Sequence, residues 1–381
     1  MSEDNAKNPL FELGRLGQSV WYDDISRGLI HSGGLQELVD DYAVVGVTSN
    51  PSIFEKAIGG STDYDEDLQR LAGEGSSAED IFMDVALKDV GDALDILRPQ
   101  FDSSDGIDGR VSMEVLASLA FDTERTNAMV RDIWKRVNKP NLYVKIPATK
   151  EGIPSIEQML YEGHSINITL IFGLDYYRKV AEAYVNAMER RLAEGRDLHG
   201  VTSVASFFVS RVDTKVDKQL DGLVQQGKLS EADASKLKGQ AANANAKLAY
   251  QVYKEIFKSE RFRRLEKEGA RPQRCLWAST STKNPAYPDT LYVEDLVGPD
   301  TVNTMPRNTL EAYRDHGRPA LRIEDGVDEA RALMSQLEEV GIDMQKVTDE
   351  LIDEGVKAFA DAFDKLLGEI KHKAEAVQAG T

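Results

Sequence analysis

Eight short apolar runs, nearly all separated by stretches of helical periodicity, constrain this chain more than any other feature. The runs fall at 19–24, 43–48, 110–116, 141–147, 165–172, 200–209, 274–279 and 301–306. Helical spacing fills 33–42, 78–98, 122–137, 152–161, 174–192 and 211–257, with a turn near Gly227, and resumes in a long stretch over 345–373. Strands that alternate regularly with helices pair in parallel. Eight such units predict an α/β fold, a (β/α)8 TIM barrel. The 381 residues exceed the ~250 of a typical barrel through extra helices after strand 6 and a C-terminal helical extension over 320–381. An open doubly wound sheet is the alternative, weakened because no Gly-x-Gly-x-x-Gly turn follows strand 1. With no internal repeat and no linker, we expect a single domain over 1–381, with 1–7 a loose tail.

Charge and cysteine usage narrow the functional classes. The formal net charge is −19, and both nucleic acid and anionic membranes demand a basic face. Neither is expected as a partner. No run reaches 18 apolar residues, and the polar, acidic start argues against a signal peptide. Cys275 is the only cysteine, which fits a reducing, cytoplasmic setting and rules out a disulfide framework. The five histidines are scattered without metal-ligand spacing. A monomer or a homodimer is equally compatible with the sequence.

The strands carry polar residues where a plain core would not. The fourth holds a single lysine, Lys145, among Leu142, Tyr143, Val144 and Ile146. Side chains alternate faces along a strand, so Tyr143 and Lys145 look one way and Val144 and Ile146 the other. The same parity groups Trp21 with Asp23, and Gly46 with Thr48 and Asn50. It groups Ser112 with Glu114, Asn167 with Thr169, Thr202 with Val204, Ser206 and Phe208, and Trp277 with Ser279. Each residue alone is more simply a structural polar group or an edge device. Together they place a lysine, two carboxylates and several hydroxyl and amide groups on the inner faces of the strands, where a barrel carries its active site. A lysine there that becomes neutral is a nucleophile toward carbonyls, with the carboxylates as proton-transfer partners. The amides and hydroxyls suit a polyol or sugar. No metal or other cofactor is expected, since an iminium is itself an electron sink. Arg211 after strand 6 and Lys283 after strand 7 would hold an anion such as a phosphate, making sugar phosphates the expected ligands.

Thr48-Ser-Asn-Pro-Ser52, Gly109-Arg-Val-Ser-Met-Glu114, Val144-Lys-Ile-Pro147, Ile166-Asn-Ile-Thr169 and Ala205-Ser-Phe-Phe-Val-Ser-Arg211 resemble the transaldolase family, in its order and spacing. The runs Trp277-Ala-Ser-Thr-Ser-Thr-Lys-Asn-Pro285 and Asp300-Thr-Val-Asn-Thr-Met-Pro306 look like its long, actinobacterial branch. The resemblance implies a barrel of the class I aldolase type. It implies transfer of a dihydroxyacetone unit from sedoheptulose 7-phosphate to glyceraldehyde 3-phosphate, giving erythrose 4-phosphate and fructose 6-phosphate, in the pentose phosphate pathway. It makes Lys145 the Schiff-base lysine and Asp23, rather than its neighbour Asp24, the acid/base for carbon–carbon cleavage. Glu114 and Thr169 would act through a water in carbinolamine dehydration. Asn50, Asn167 and Ser206 would hold the dihydroxyacetone moiety, Arg211 the phosphate, with Ser279 and Lys283 beside it. Lys283 stands where many members carry arginine, and lysine is a point charge rather than a fork. Two rivals remain at this stage: an aldolase that releases dihydroxyacetone, and a barrel that only binds.

Overall fold

A computed structural model describes residues 8–379, with side chains described through residue 375. The expected tail over 1–7 lies outside the described residues. Eight parallel strands close into a barrel in sequence order: β1 Gln18–Tyr22, β2 Val44–Val47, β3 Arg110–Glu114, β4 Leu142–Pro147, β5 Ile166–Ile171, β6 Ser203–Phe208, β7 Arg274–Ala278 and β8 Thr301–Met305. The open-sheet alternative is thereby excluded, because β8 pairs with β1 from Gln18↔Thr301 to Tyr22↔Met305. The strands are shorter than their apolar runs by one to several residues, since the ends of several runs belong to the turns that leave the barrel.

The helices between strands begin where the sequence supplies caps. Ser77 accepts from Asp80 N at the start of Ala78–Ile96, and Asp122 accepts from Arg125 N at the start of Thr123–Val137. Each such bond satisfies one of the N–H groups a helix leaves orphaned at its start. Two local expectations differ from the structure. The stretch expected to be helical over 211–257 is three helices, Ser210–Gln225, Glu231–Leu237 and Ala241–Phe257, with Gly227 and Gly239 at positive φ ending the first two. A short helix, Arg27–His31, follows β1 where none was expected. Five residues are too few to show a period.

Register carries the inner face unbroken around much of the barrel. Glu114 pairs with Lys145, Lys145 with Asn167, Asn167 with Val204, Ser206 with Leu276 and Leu276 with Val302. Outward residues such as Val144, Ile146, Ile166 and Ile168 are fully buried beneath the helices, each worth about 1.5–3 kcal/mol. Inside, Trp21 lies directly over Gly46, where a Cβ would stand 2.4 Å from its ring. Only glycine leaves room for that indole. One parity expectation fails here. Trp277 pairs with Phe207, packs edge-on against that ring, and donates to Leu296 O at 3.0 Å. It therefore faces the helices, and Ala278 takes the inner position. Ser279 reaches the interior only because its φ of 55° breaks the alternation.

The last helix, Met344–Ala379, runs against the outside of the barrel mouth. Phe363 packs on Phe82, which packs on Phe54 of the helix Pro51–Gly59, and Lys365 pairs with Glu55 at 2.5 Å. No helix among the described residues is long and apolar enough to cross a membrane.

Candidate active site

The site begins with β4. Lys145 is 5 % exposed, and its Nζ stands 3.3 Å from Glu114 Oε2 on the neighbouring strand. It also donates to Ser49 O at 2.9 Å, in the turn after β2. Ser49 is held in turn by donating to Ser112 O at 2.7 Å. The amine thus has one carboxylate and one carbonyl as protein partners, and its remaining capacity faces a cavity of about 350 Å³ at the C-terminal end of the strands. Burial pushes the Glu114 carboxyl above the usual carboxylate range, while Lys145 draws it back down.

Asp23, at the end of β1, lines the same cavity and Asp24 does not. Thr48 Oγ1 donates to Asp23 Oδ1 at 2.7 Å and lies 2.6 Å from Thr304 Oγ1. Desolvation raises the Asp23 carboxyl above its ordinary value. The Thr48 hydrogen bond and then Lys145, Lys283 and Arg211 oppose that rise. A carboxylate so balanced is suited to trading a proton.

Asn50, Thr169, Ser206, Arg211, Ser279 and Lys283 also line the cavity. Asn50 caps the following helix through Oδ1, which accepts from Ile53 N at 3.1 Å. Its amide nitrogen has no protein acceptor among the described residues. Asn167 does not line the cavity. It is fully buried one layer down, donating to Ser112 Oγ at 3.0 Å and accepting from Ser206 Oγ at 2.7 Å. Thr169 Oγ1 is buried with no protein partner. An orphaned hydroxyl of this kind costs free energy unless something outside the protein meets it.

The far side of the cavity is cationic. Arg211 lies over the Phe208 ring at 5.2 Å, and burial pulls its guanidinium below the usual arginine value. Burial, and then Arg211 itself, lower the Lys283 ammonium, whose Nζ donates to Ser281 Oγ at 2.6 Å. Among the described residues neither forms an ion pair with a carboxylate. Sequence reasoning missed Lys56, Ser281, Thr304 and Phe359, which also line the cavity. Extending parity to β8 would have found Thr304, which shares a face with Val302. Nothing local marks Phe359, which arrives from the last helix. A larger cleft of about 610 Å³ lies outside the barrel, around Gly173–Asp175 and Met334–Met344. It contributes acids and the hydroxyls of Ser335 and Thr348 but no lysine, arginine or histidine, so the smaller cavity, where a buried lysine meets a carboxylate and further cations, is the chemical one. No group of three or more metal-ligating side chains occurs among the described residues.

The family described as Transaldolase/Fructose-6-phosphate aldolase matches residues 20–370. A transaldolase of Parafrankia sp. (strain EAN1pec) is 50% identical over 366 residues, covering 96% of this chain and 98% of that protein. A transaldolase of Mycobacterium tuberculosis (strain ATCC 25618 / H37Rv) is 48% identical over 369 residues, covering 96% and 97%. One of Thermobifida fusca (strain YX) is 48% identical over 370 residues, covering 97% and 99%. With a closed eight-stranded barrel, a lysine in its interior and this similarity over nearly its whole length, the chain belongs to the transaldolase/fructose-6-phosphate aldolase family, as an enzyme of the transferase class.

Proposed function

We propose that the cavity transfers a dihydroxyacetone unit from sedoheptulose 7-phosphate to glyceraldehyde 3-phosphate through a Schiff base on Lys145, as a cytoplasmic step of the non-oxidative pentose phosphate pathway. The amine of Lys145 attacks the ketose C2 carbonyl. Glu114, 3.3 Å away, moves the protons as the carbinolamine loses water. Thr169, whose buried hydroxyl lacks a protein partner, holds that water. Asp23 then takes the proton of the C4 hydroxyl. The C3–C4 bond breaks, its electron pair flows into the iminium, and erythrose 4-phosphate leaves. The enamine carbon attacks the aldehyde of glyceraldehyde 3-phosphate, and Asp23 returns its proton to the new hydroxyl. Hydrolysis of the iminium releases fructose 6-phosphate and restores the lysine.

The other residues bind and orient. Asn50 and Ser206 hold the dihydroxyacetone hydroxyls. Asn167 contributes from beneath, by fixing Ser206 at 2.7 Å. Arg211 and Lys283 bind the phosphate, with Ser279 beside them. In a chain of net charge −19 the overall field repels a phosphate dianion, so its affinity must come from such short-range contacts.

Lys145 carries the reading: an almost fully buried amine, held by one carboxylate and one carbonyl, that opens on a cavity containing a second carboxylate. Borohydride reduction in the presence of fructose 6-phosphate tests it. One reduced three-carbon unit should appear on the peptide containing Lys145. Labelling of any other lysine, or of the Lys145→Ala protein, would sink the proposal.

A further inference from the structure

Two aspartates beside the cavity, Asp213 buried and Asp217 half-buried, take no part in the chemistry above. Asp213 and Asp217 lie one helical turn apart on Ser210–Gln225, the helix whose second residue is Arg211. Asp213 is 1 % exposed and has no cationic partner among the described residues. It accepts from Ala242 N at 2.7 Å and from Tyr292 Oη at 2.8 Å. Asp217 accepts from Gly239 N at 3.0 Å and from Tyr287 Oη at 2.5 Å. Both tyrosines follow β7, downstream of Lys283. At the other end of the same loop, Ser210 N donates to Ser279 O at 3.0 Å, and the two serine hydroxyls lie 2.9 Å apart. Gly239, at φ +71°, lies so close under Tyr287 that a Cβ would stand 2.7 Å from its Cζ. The loop that carries Lys283 is thus fastened at both ends to the helix that carries Arg211.

Packing alone does not explain this arrangement. A buried carboxylate without a cation is expensive, and an apolar contact would hold two segments together more cheaply. Burial pushes the Asp213 carboxyl up to about 6, so the cost is visible in its own ionisation. A hydrogen bond to a carboxylate does what apolar contact does not: it fixes distance and direction.

We infer that Asp213 and Asp217 are positioning residues for phosphate binding, which, through Tyr292 and Tyr287, set the distance between Lys283 and Arg211. The inference rests on the phosphate-binding role proposed above for those two cations. The tyrosines touch no substrate and act through Lys283.

A double-mutant cycle tests this, read as the ratio of kcat/KM for fructose 6-phosphate to that for unphosphorylated fructose. Tyr287→Phe should lower the ratio by on the order of tenfold, through KM for the phosphorylated sugar, with kcat within about twofold, as for one hydrogen bond to a charged group. Asp217→Asn keeps an acceptor for the tyrosine and should restore most of the ratio that Asp217→Ala loses. In a Lys283→Ala background, Tyr287→Phe should cost nothing further, because groups that act through one another are not additive. A full, additive loss in that background overturns the inference and leaves the phosphate reading standing. So does an unchanged ratio in Tyr287→Phe with only its melting temperature lowered. If Lys283→Ala itself leaves the ratio unchanged, both fall together.

Discussion

The two ends of the barrel interior use the same alternation and many of the same residue types, yet one is finished and the other is not. At the N-terminal end, Arg110 is 1 % exposed and lies between the Phe101 and Tyr143 rings at 4.8 and 4.7 Å. It donates to Gly106 O at 3.1 and 2.7 Å and to Pro140 O at 3.0 Å. Arg274 pairs with Asp108 at 3.0 Å and donates to Ser19 Oγ at 2.7 Å. Tyr143 meets Thr202 at 2.8 Å. There the protein itself satisfies these polar groups. At the C-terminal end, Arg211, Lys283 and Lys56 meet in one cavity with no carboxylate ion pair among the described residues, and Thr169 Oγ1 has no protein partner. Buried polarity therefore does not by itself mark a site. A site is where polar groups are buried and their partners are left for a ligand to supply.

Removing groups at the unfinished end should alter chemistry far more than folding. Lys145→Ala has the largest expected effect: transfer falls on the order of 10⁴–10⁶-fold, as for loss of a nucleophile elsewhere, while far-ultraviolet circular dichroism is retained. Asp23→Ala should come next, losing ~10²–10⁴-fold in turnover as for a missing acid/base. It should still form a borohydride-trappable adduct with ketose, because the step proposed for Asp23 follows the Schiff base. Near-normal turnover in Asp23→Ala would move the acid/base role elsewhere.

Two arginines sharpen the contrast between the ends. Arg211→Ala should raise KM for fructose 6-phosphate on the order of ten- to a hundredfold, as for a charged hydrogen bond worth about 1.5–3 kcal/mol, with little change in melting temperature. Arg110→Ala should do the reverse. It strands the Gly106 and Pro140 carbonyls and should destabilise the protein by about 3 kcal/mol, with KM of the folded fraction unchanged. If the two variants behave alike, the contrast between the ends is wrong.

Smaller effects probe how the fold tunes ionisation. The Thr48 hydrogen bond favours the Asp23 carboxylate. Thr48→Val removes it, so the Asp23 pKa rises further, and the acid limb of the kcat profile should shift to higher pH. A shift to lower pH would show that Thr48 does not stabilise the ionised form. Asp213 gives the corresponding test for stability. Its folded-state value, about 6, lies above its ordinary 3.8. Between these two values the folded protein binds more protons than the unfolded chain, so stability falls as pH rises through that window. Asp213→Asn should lack this decline, as read from urea midpoints across the same range.

Much of the fold was legible because helix and strand periods are local. The alternation of runs located all eight strands, and their parity put Asp23, Glu114, Lys145, Thr169 and Ser206 on inner faces. Parity failed on β7 for a physical reason. Period 2 holds only while the chain stays extended, and the Ser279 backbone turns to φ 55°. Trp277 was therefore assigned to the wrong face, and Ser279 reaches the cavity by turning rather than by alternating. Lys56 and Phe359 escaped notice because both come from helices, where no strand parity applies.

The sequence by itself determined the barrel, the family and a lysine on the inner face of a strand, since each depends on patterns a few residues long repeated in order. Tertiary structure decided which polar residues have partners. Asn167 is spent on Ser112 and Ser206, whereas Thr169, two residues away, is left open. It also decided that Phe359 reaches the cavity, and that the segment after Lys283 is bonded, through Tyr287 and Tyr292, to Asp217 and Asp213 on the helix that begins beside Arg211. Hydrogen-bond satisfaction is settled by neighbours in space. Here those neighbours lie tens to hundreds of residues apart, as with Tyr292 and Asp213, separated by 79 positions, and no local pattern in the chain records them.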